Sequence, residues 1–260
     1  MNLTTLEYPP LTEDIEEAKT HLDKYGMALI ANVLSEDEVD EMDKRLNEQF
    51  LGEEKHKVGS KVRGDEGLGV QSADEEKVSR LVWNLINKGD CFLKLIDHPK
   101  ILPLIQHLIG DRVCLCSMGA HMNGSGNEKM ALHQDQWPLV PHPMDFPFMA
   151  NVMYLISDNS PENGGTRLIP GSHKWPLIDY RTANGEEIQN KALSLTAPKG
   201  TAIVWEGRLW HGNGLNRSGS IRSNISTAFL QPWVKPQAVS YTHLRAHETE
   251  ADLVCRLLLE

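Results

Sequence analysis

The sequence predicts a mainly β protein with flanking helices (α+β), in which about eight antiparallel strands form the two sheets of a jelly roll. Three observations predict it. Up to Gly110 the apolar residues recur at helical spacing, and beyond it they fall into short runs separated by turn signals. Pro161-Glu162-Asn163-Gly164-Gly165 and Pro198-Lys199-Gly200 are strong turns between such runs. Finally, Met130-Ala131-Leu132-His133-Gln134-Asp135-Gln136-Trp137, read as a strand, sets His133 and Asp135 on one face. An imidazole and a carboxylate then converge on one point, and the mouth of a jelly roll can hold a metal.

In order along the chain, Thr12 is placed to cap a helix running to Tyr25, with Asp14, Glu16 and Glu17 near its positive end and Gly26 past its stop. Residues 27–34 read as a buried strand. Ser35 and Glu38 form a capping box, followed by Val39, Met42, Leu46 and Phe50 at helical spacing. From Gly52 to Ala73 periodicity is lost, which predicts a loop, with a lid as one reading and an ordinary surface loop as the other. Helical patterns resume with Val78, Leu81, Val82, Leu85 and Ile86, and again with Ile101, Leu104, Ile105 and Leu108. Strands are expected near 112–119, 129–136, 148–157, 165–169, 193–197, 201–205, 208–211 and 221–232.

A chain of 260 residues with 40% apolar content can bury a sizeable core. A formal charge of −10 argues against a nucleic-acid or anionic-membrane surface, because no excess of Lys and Arg exists to neutralise phosphates. The local basic run of Lys55, Lys57, Lys61 and Arg63 is the exception, read as a solvated loop or a contact to an anionic substrate. Cys91, Cys114, Cys116 and Cys255 have neither zinc spacing nor the density of a disulfide scaffold. No signal peptide or bilayer-spanning run is evident, so the expectation is a soluble, cytoplasmic protein.

An H-x-D pair alone is a weak signal, and His21-Leu22-Asp23 also reads so. That pair lies in a helical stripe with Ile15, Ala18 and Tyr25, where residues two apart do not face each other. His133 and Asp135 therefore form the candidate site. His211 is the candidate second histidine, since it follows the hydrophobic stretch Thr201 to Trp205 and a tight turn and precedes glycines that let backbone approach a ligand. A structural histidine is the alternative reading. Arg222 lies where a hairpin would return it beside the metal, and a guanidinium there can grip a distal carboxylate through two parallel hydrogen bonds.

These residues, in this order, resemble the phytanoyl-CoA dioxygenase family of iron(II)- and 2-oxoglutarate-dependent oxygenases. The matching segments are Leu132-His133-Gln134-Asp135, Asn163-Gly164-Gly165-Thr166 leading into Ile169-Pro170-Gly171-Ser172-His173-Lys174, Leu209-Trp210-His211-Gly212, and Arg222 at the family's spacing. The resemblance covers roughly residues 15–235. It implies a double-stranded β-helix, the cupin-like jelly roll, with iron(II) held by His133, Asp135 and His211. It also implies that Arg222, helped by Thr166, binds the C5 carboxylate of 2-oxoglutarate while the C1 carboxylate and ketone oxygens chelate iron. Asn151 and Asn213 occupy positions where family members contact the cosubstrate. The implied activity uses O2 to hydroxylate or desaturate an aliphatic C–H bond of a small organic, lipid or natural-product substrate, with succinate and CO2 as co-products. Because related halogenases carry a small residue in place of Asp135, hydroxylation or desaturation is favoured.

The alternative is a cupin-like metal-binding protein or metal hydrolase using the same three ligands without 2-oxoglutarate. The expected organisation is a single oxygenase domain over 1–238, with a helical region at 12–110 and the jelly roll at 111–235. Residues 239–260 resemble adapter-derived sequence and are expected to be a non-native or disordered tail, which leaves peroxisomal targeting open and sets aside the His243/His247 pair. The expected partner is a small molecule, with no nucleic acid or membrane span, in a monomer or homodimer. Trp137, Phe146, Phe148, Met118 and Arg208 are the guesses for the substrate pocket.

Overall fold

The computed structural model describes residues 7–58, 60–62, 79–125, 130–136, 146–176, 178, 182 and 185–236. Trp137, Arg63, Cys255, the His243/His247 pair and the whole 239–260 tail lie outside the described residues.

The strands are β1 (Leu11–Thr12), β2 (Met27–Ile30), β3 (Ser60–Val62), β4 (Ser79–Trp83), β5 (Cys114–Asn123) and β6 (Met149–Leu155), followed by β7 (Thr166–Leu168), β8 (Leu193–Ser194), β9 (Ala202–Glu206), β10 (His211–Asn213) and β11 (Arg222–Leu230). Eight of them form one sheet in the order β1-β2-β9-β6-β11-β5-β4-β3, and β10-β7-β8 form a second. All pairings are antiparallel except β1 with β2. The helices are α1 (Ile15–Tyr25), α2 (Glu36–Lys55), α3 (Asp90–Leu93), α4 (Leu102–Ile109) and α5 (Glu186–Gln189).

Strand alternation gives the large sheet two different faces. Ala28, Met118, Ala120, Val152, Tyr154, Val204, Ile225 and Phe229 point outward and join Leu22, Met42, Leu46, Leu104 and Ile105 of α1, α2 and α4 in the main core. Met27, Leu29, Met153, Leu155, Ile203 and Trp205 point inward and pack with Leu168, Leu195 and Leu209 between the two sheets. Burial of the sheet on both sides explains why all seven residues of β6 are buried, the polar Asn151 among them.

Several local expectations are corrected. The cap of α1 is Asp14, whose Oδ1 accepts from the N–H groups of Glu16 (2.8 Å) and Glu17 (3.2 Å), while Thr12 belongs to β1. Residues 79–87, the described part of the run read as a helix, are not an α-helix. They hold β4 and a 3-10 turn at Leu85–Asn87, because a short apolar run with neighbours on both faces satisfies either period. Strand β5 runs to Asn123 rather than 119, and the described residues 130–136 of the expected 129–136 strand contribute a single bridging residue, His133. The Ser35–Glu38 capping box is present as expected.

Gly26 ends α1 at φ +74°, donating its N–H to Leu22 O at 2.8 Å. A Cβ there would lie 2.4 Å from His173 Nδ1, so position 26 has neither the backbone freedom nor the space for a side chain. Gly26→Ala is therefore expected to cost about 2 kcal/mol or more, read as a lowered urea midpoint at unchanged m. The same contact buries His173, and burial, with Lys174 and Arg208 nearby, depresses its pKa to about 4. Between the ordinary histidine value near pH 6.5 and about pH 4 the unfolded chain binds the extra proton, so this residue's contribution to stability falls as pH falls through that window. Denaturant midpoints measured across pH 4–7 should show a shallower acid limb in His173→Gln.

Candidate metal centre

The candidate metal-ligand set assembles at a bridge between segments far apart in sequence. His133 and His211 pair as opposite residues, with His133 N–H donating to His211 O (2.9 Å) and His211 N–H to His133 O (3.0 Å). Their rings stand 4.3 Å apart between centroids. Gln136 N–H donates to Gly207 O at 2.9 Å, and the Gln134 side-chain amide donates to Arg208 O. The segment is thus fastened to the β9–β10 turn, and the bend after His133 brings Asp135 beside both rings. Asp135 Oδ1 lies 3.5 Å from His133 Nε2 and Oδ2 lies 3.2 Å from His211 Nε2.

Each imidazole is oriented by its own backbone. His133 Nδ1 donates to Ala131 O at 3.1 Å, and His211 Nδ1 to Leu209 O at 3.0 Å. A carbonyl only accepts, so the proton is on Nδ1 and the Nε2 lone pair is free for a metal. Burial lowers the His211 pKa to about 4, which keeps that ring neutral. Burial also acts downward on His133, but the Asp135 carboxylate outweighs it and the net shift is upward. For Asp135 burial acts upward, yet His211 and His133 hold it at about 2. Among the described residues this trio is the group of His, Cys, Asp and Glu whose ligand atoms all lie within 4.8 Å of one another. Two neutral nitrogens and one anionic oxygen on one side leave the opposite positions of an octahedral ion open.

The trio lines a cavity of about 210 Å³ between the two sheets. Asn151, Thr166 and Asn213 line it as well. The Asn151 amide donates to Asp135 Oδ2 at 2.9 Å, and Thr166 Oγ1 donates to Met153 Sδ at 3.2 Å. Asn213 and Thr166 are register partners on β10 and β7. Arg222 opens β11 on the inward face shared with Asn224, and it is 1% exposed. Its Nε, Nη1 and Nη2 find no partner among the described residues, and burial lowers its pKa to about 10. A buried guanidinium without a partner is costly, and its fork geometry matches a carboxylate. The donor set and this orphaned cation together fit a divalent metal with a carboxylate-bearing cosubstrate.

The pocket guesses fare worse. Met118 faces the helix-side core, Phe148 is buried in a separate cluster and Phe146 is exposed. Arg208 is bound to Glu206 in a larger depression of about 440 Å³ between α1, α4 and residues 173–175, away from the metal ligands. Lys55 and Lys57 do not line the cavity. Sequence reasoning missed Trp83, His121, Trp205 and Asn224, all of which do. The inward alternation Ser117, Gly119, His121 along β5 was the available signal for His121, hidden by ending that strand at 119. The decoy His21 is buried on α1, and Asp23 instead meets His107 at 2.8 Å. No helix among the described residues is long and apolar enough to cross a membrane.

Comparison with known proteins agrees with this geometry. A dioxygenase of Aspergillus fumigatus, af480, is 30% identical over 227 residues, covering 87% of this chain and 70% of its own. EctD from S. alaskensis, solved with bound Fe, superposes with a TM-score of 0.66 at 19% identity, over 88% of this chain and 82% of that one. HygX from Streptomyces hygroscopicus, solved with nickel, 2-oxoglutarate and hygromycin B, gives 0.63 at 16% identity, over 85% and 88%. The profile of phytanoyl-CoA dioxygenase matches residues 22–224, from α1 to the third residue of β11 and across every metal-ligand candidate, and the chain belongs to that family.

Proposed function

We propose that the protein is an iron(II)- and 2-oxoglutarate-dependent dioxygenase that hydroxylates or desaturates an aliphatic C–H bond of a small organic, lipid or natural-product molecule, releasing succinate and CO2. The observation that carries this reading is the pairing of an open His-Asp-His trio with a buried, partnerless Arg222, which lies on the inward face of the large sheet two residues from the cavity-lining Asn224. His133, Asp135 and His211 hold the iron, and Arg222 takes the distal carboxylate of 2-oxoglutarate. The bound iron supplies oxygen activation coupled to oxidation of the 2-oxo acid. The protein's own residues orient and exclude: backbone carbonyls of Ala131 and Leu209 fix both imidazoles, and Asn213 and Thr166 flank the cosubstrate. A metal hydrolase built on the same three ligands gives Arg222 nothing to bind. Support also comes from HygX, whose structure contains 2-oxoglutarate.

Asn151 acts through Asp135 rather than on the substrate, because its amide fixes the carboxylate oxygen nearest His211. Asn151→Ala is expected to weaken iron binding about ten- to hundredfold with the fold intact, measured by equilibrium dialysis beside circular dichroism.

The reading is tested by anaerobic titration of 2-oxoglutarate into the iron(II)-loaded protein, watching the weak visible charge-transfer band of the chelate. A saturable band, lost in His211→Ala and weakened in Arg222→Ala, is expected. A folded, iron-loaded protein that gives no band overturns the proposal.

A further inference from the structure

The cavity keeps one wall that iron and 2-oxoglutarate do not use. Trp83 ends β4 with its side chain 45% exposed, yet it lines the same cavity as the metal ligands. Tryptophan suits a position that is apolar on one side and wet on the other, and here the cavity is bordered by the open indole of Trp83. Its register partner is Gly119 on β5. A Cβ there would lie 3.2 Å from Val82 O and 3.3 Å from Trp83 Cε3, so a side chain at 119 would push the indole away. His121 meets the ring edge-on, 6.3 Å between centroids. Around Gly119 the inward positions are small as well, with Ser226 opposite it and Ala228 opposite Ser117. The result is an open floor beside an aromatic wall.

A second, independent observation lies on that floor. Asn224 is 1% exposed and lines the cavity opposite His121, and neither its Nδ2 nor its Oδ1 has a partner among the described residues. A buried amide with both a donor and an acceptor unmet is suited to a hydroxyl or carbonyl oxygen on a ligand. Charge points the same way. Among the described cavity residues Asp135 is the sole Asp, Glu, Lys or Arg, and Met130, Met149 and Met153 add adaptable apolar surface. The volume of about 210 Å³ is below that of an ordinary small-molecule site. With 2-oxoglutarate in place, the rest of a substrate must extend over the rim, where Trp83 stands.

Resting on the cofactor assignment above, we infer that Trp83 is a specificity-determining wall for an uncharged, mainly apolar ring or chain, which lies against the indole and directs a hydroxyl or carbonyl to Asn224. Phosphate-bearing thioesters and zwitterions find no matching charge on this wall.

The test uses the anaerobic protein with iron(II) and 2-oxoglutarate, whose chelate band shifts when a molecule enters beside the metal. The probes are menthol, cyclododecanone and nonylphenol on the neutral side, with palmitoyl-CoA and L-proline on the charged side. At least one neutral probe should shift the band saturably. Trp83→Ala should weaken that probe by about tenfold or more, while Trp83→Phe stays within about threefold, with 2-oxoglutarate affinity unchanged in both. Asn224→Leu should reduce the advantage of menthol over its parent hydrocarbon, menthane. A charged probe binding more tightly than every neutral one, no neutral probe shifting the band, or a Trp83→Ala protein with unchanged probe affinity overturns the inference while the band itself still supports the cofactor chemistry. Absence of the band in the unsubstituted protein overturns the cofactor reading and this inference with it.

Discussion

Asp135→Ala is expected to abolish iron-dependent consumption of 2-oxoglutarate while the protein keeps its fold. Asp135 is the anionic member of the trio, held at about pKa 2 by His211 and His133 against the upward push of burial. A dication bound by two neutral imidazoles alone loses its single charge-compensating ligand. The effect on iron affinity must then exceed the roughly ten- to hundredfold expected when a supporting residue such as Asn151 is removed. The structural cost is smaller, because the Asp135 side chain is 24% exposed and the two imidazoles it meets each keep a backbone carbonyl partner at Nδ1. Removing it leaves the Asn151 amide without its acceptor, a loss of about 1–3 kcal/mol. Equilibrium dialysis of iron(II), with far-ultraviolet circular dichroism on the same sample, separates the two. A folded Asp135→Ala protein that retains iron with unchanged affinity would remove Asp135 from the ligand set.

The trio was legible in sequence for a reason partly different from the one that builds it. Alternation along a strand was the argument for His133 and Asp135 sharing a face, yet 130–136 is held by one bridge and two side-chain and backbone anchors. His133 is positioned by His211 across 78 residues of sequence, a pairing that no local period encodes. Arg222 could be placed by the turn after His211, but its burial depends on distant segments, with Asn123 of β5 opposite it on one side and residues 156–157, just past β6, bonded to the neighbouring Ser223 O on the other. Trp83 and His121 were lost to boundaries. The 78–86 run was assigned to a helix and β5 was ended four residues early, so the inward face of β4–β5 was not seen as a cavity wall. Caps and turns such as Ser35–Glu38 and Pro161–Gly165 were readable because their chemistry is complete within a few residues.

Arg222→Met should stabilise the cofactor-free protein and remove its response to 2-oxoglutarate. The guanidinium is 1% exposed, none of its three nitrogens has a partner among the described residues, and burial alone drags its pKa to about 10. Folding without the cosubstrate therefore carries an unpaid desolvation cost. Replacing a buried charged group by an apolar one of similar volume stabilises by up to about 1–4 kcal/mol. At about 2–4 °C per kcal/mol for a domain of this size, the thermal midpoint of the cofactor-free variant rises by several degrees. With iron(II) and 2-oxoglutarate present the order reverses. A cosubstrate at about a thousand times its Kd adds roughly 4.1 kcal/mol to the unsubstituted protein, and Arg222→Met loses that increment because a buried charged pair is worth about 2–5 kcal/mol of affinity. Arg222→Lys separates charge from geometry: its ammonium keeps the cation but cannot bond both carboxylate oxygens in parallel, so affinity falls without the gain in cofactor-free stability. Thermal midpoints of the three proteins, with and without 2-oxoglutarate, read all of this in one series. A cofactor-free Arg222→Met that melts lower than the parent shows that the guanidinium is satisfied from within the protein, and an unchanged 2-oxoglutarate shift shows that the cosubstrate binds elsewhere. The expected crossover would tie the two roles together: the unpaired charge that weakens the empty fold would be what makes the filled one selective for a dicarboxylate.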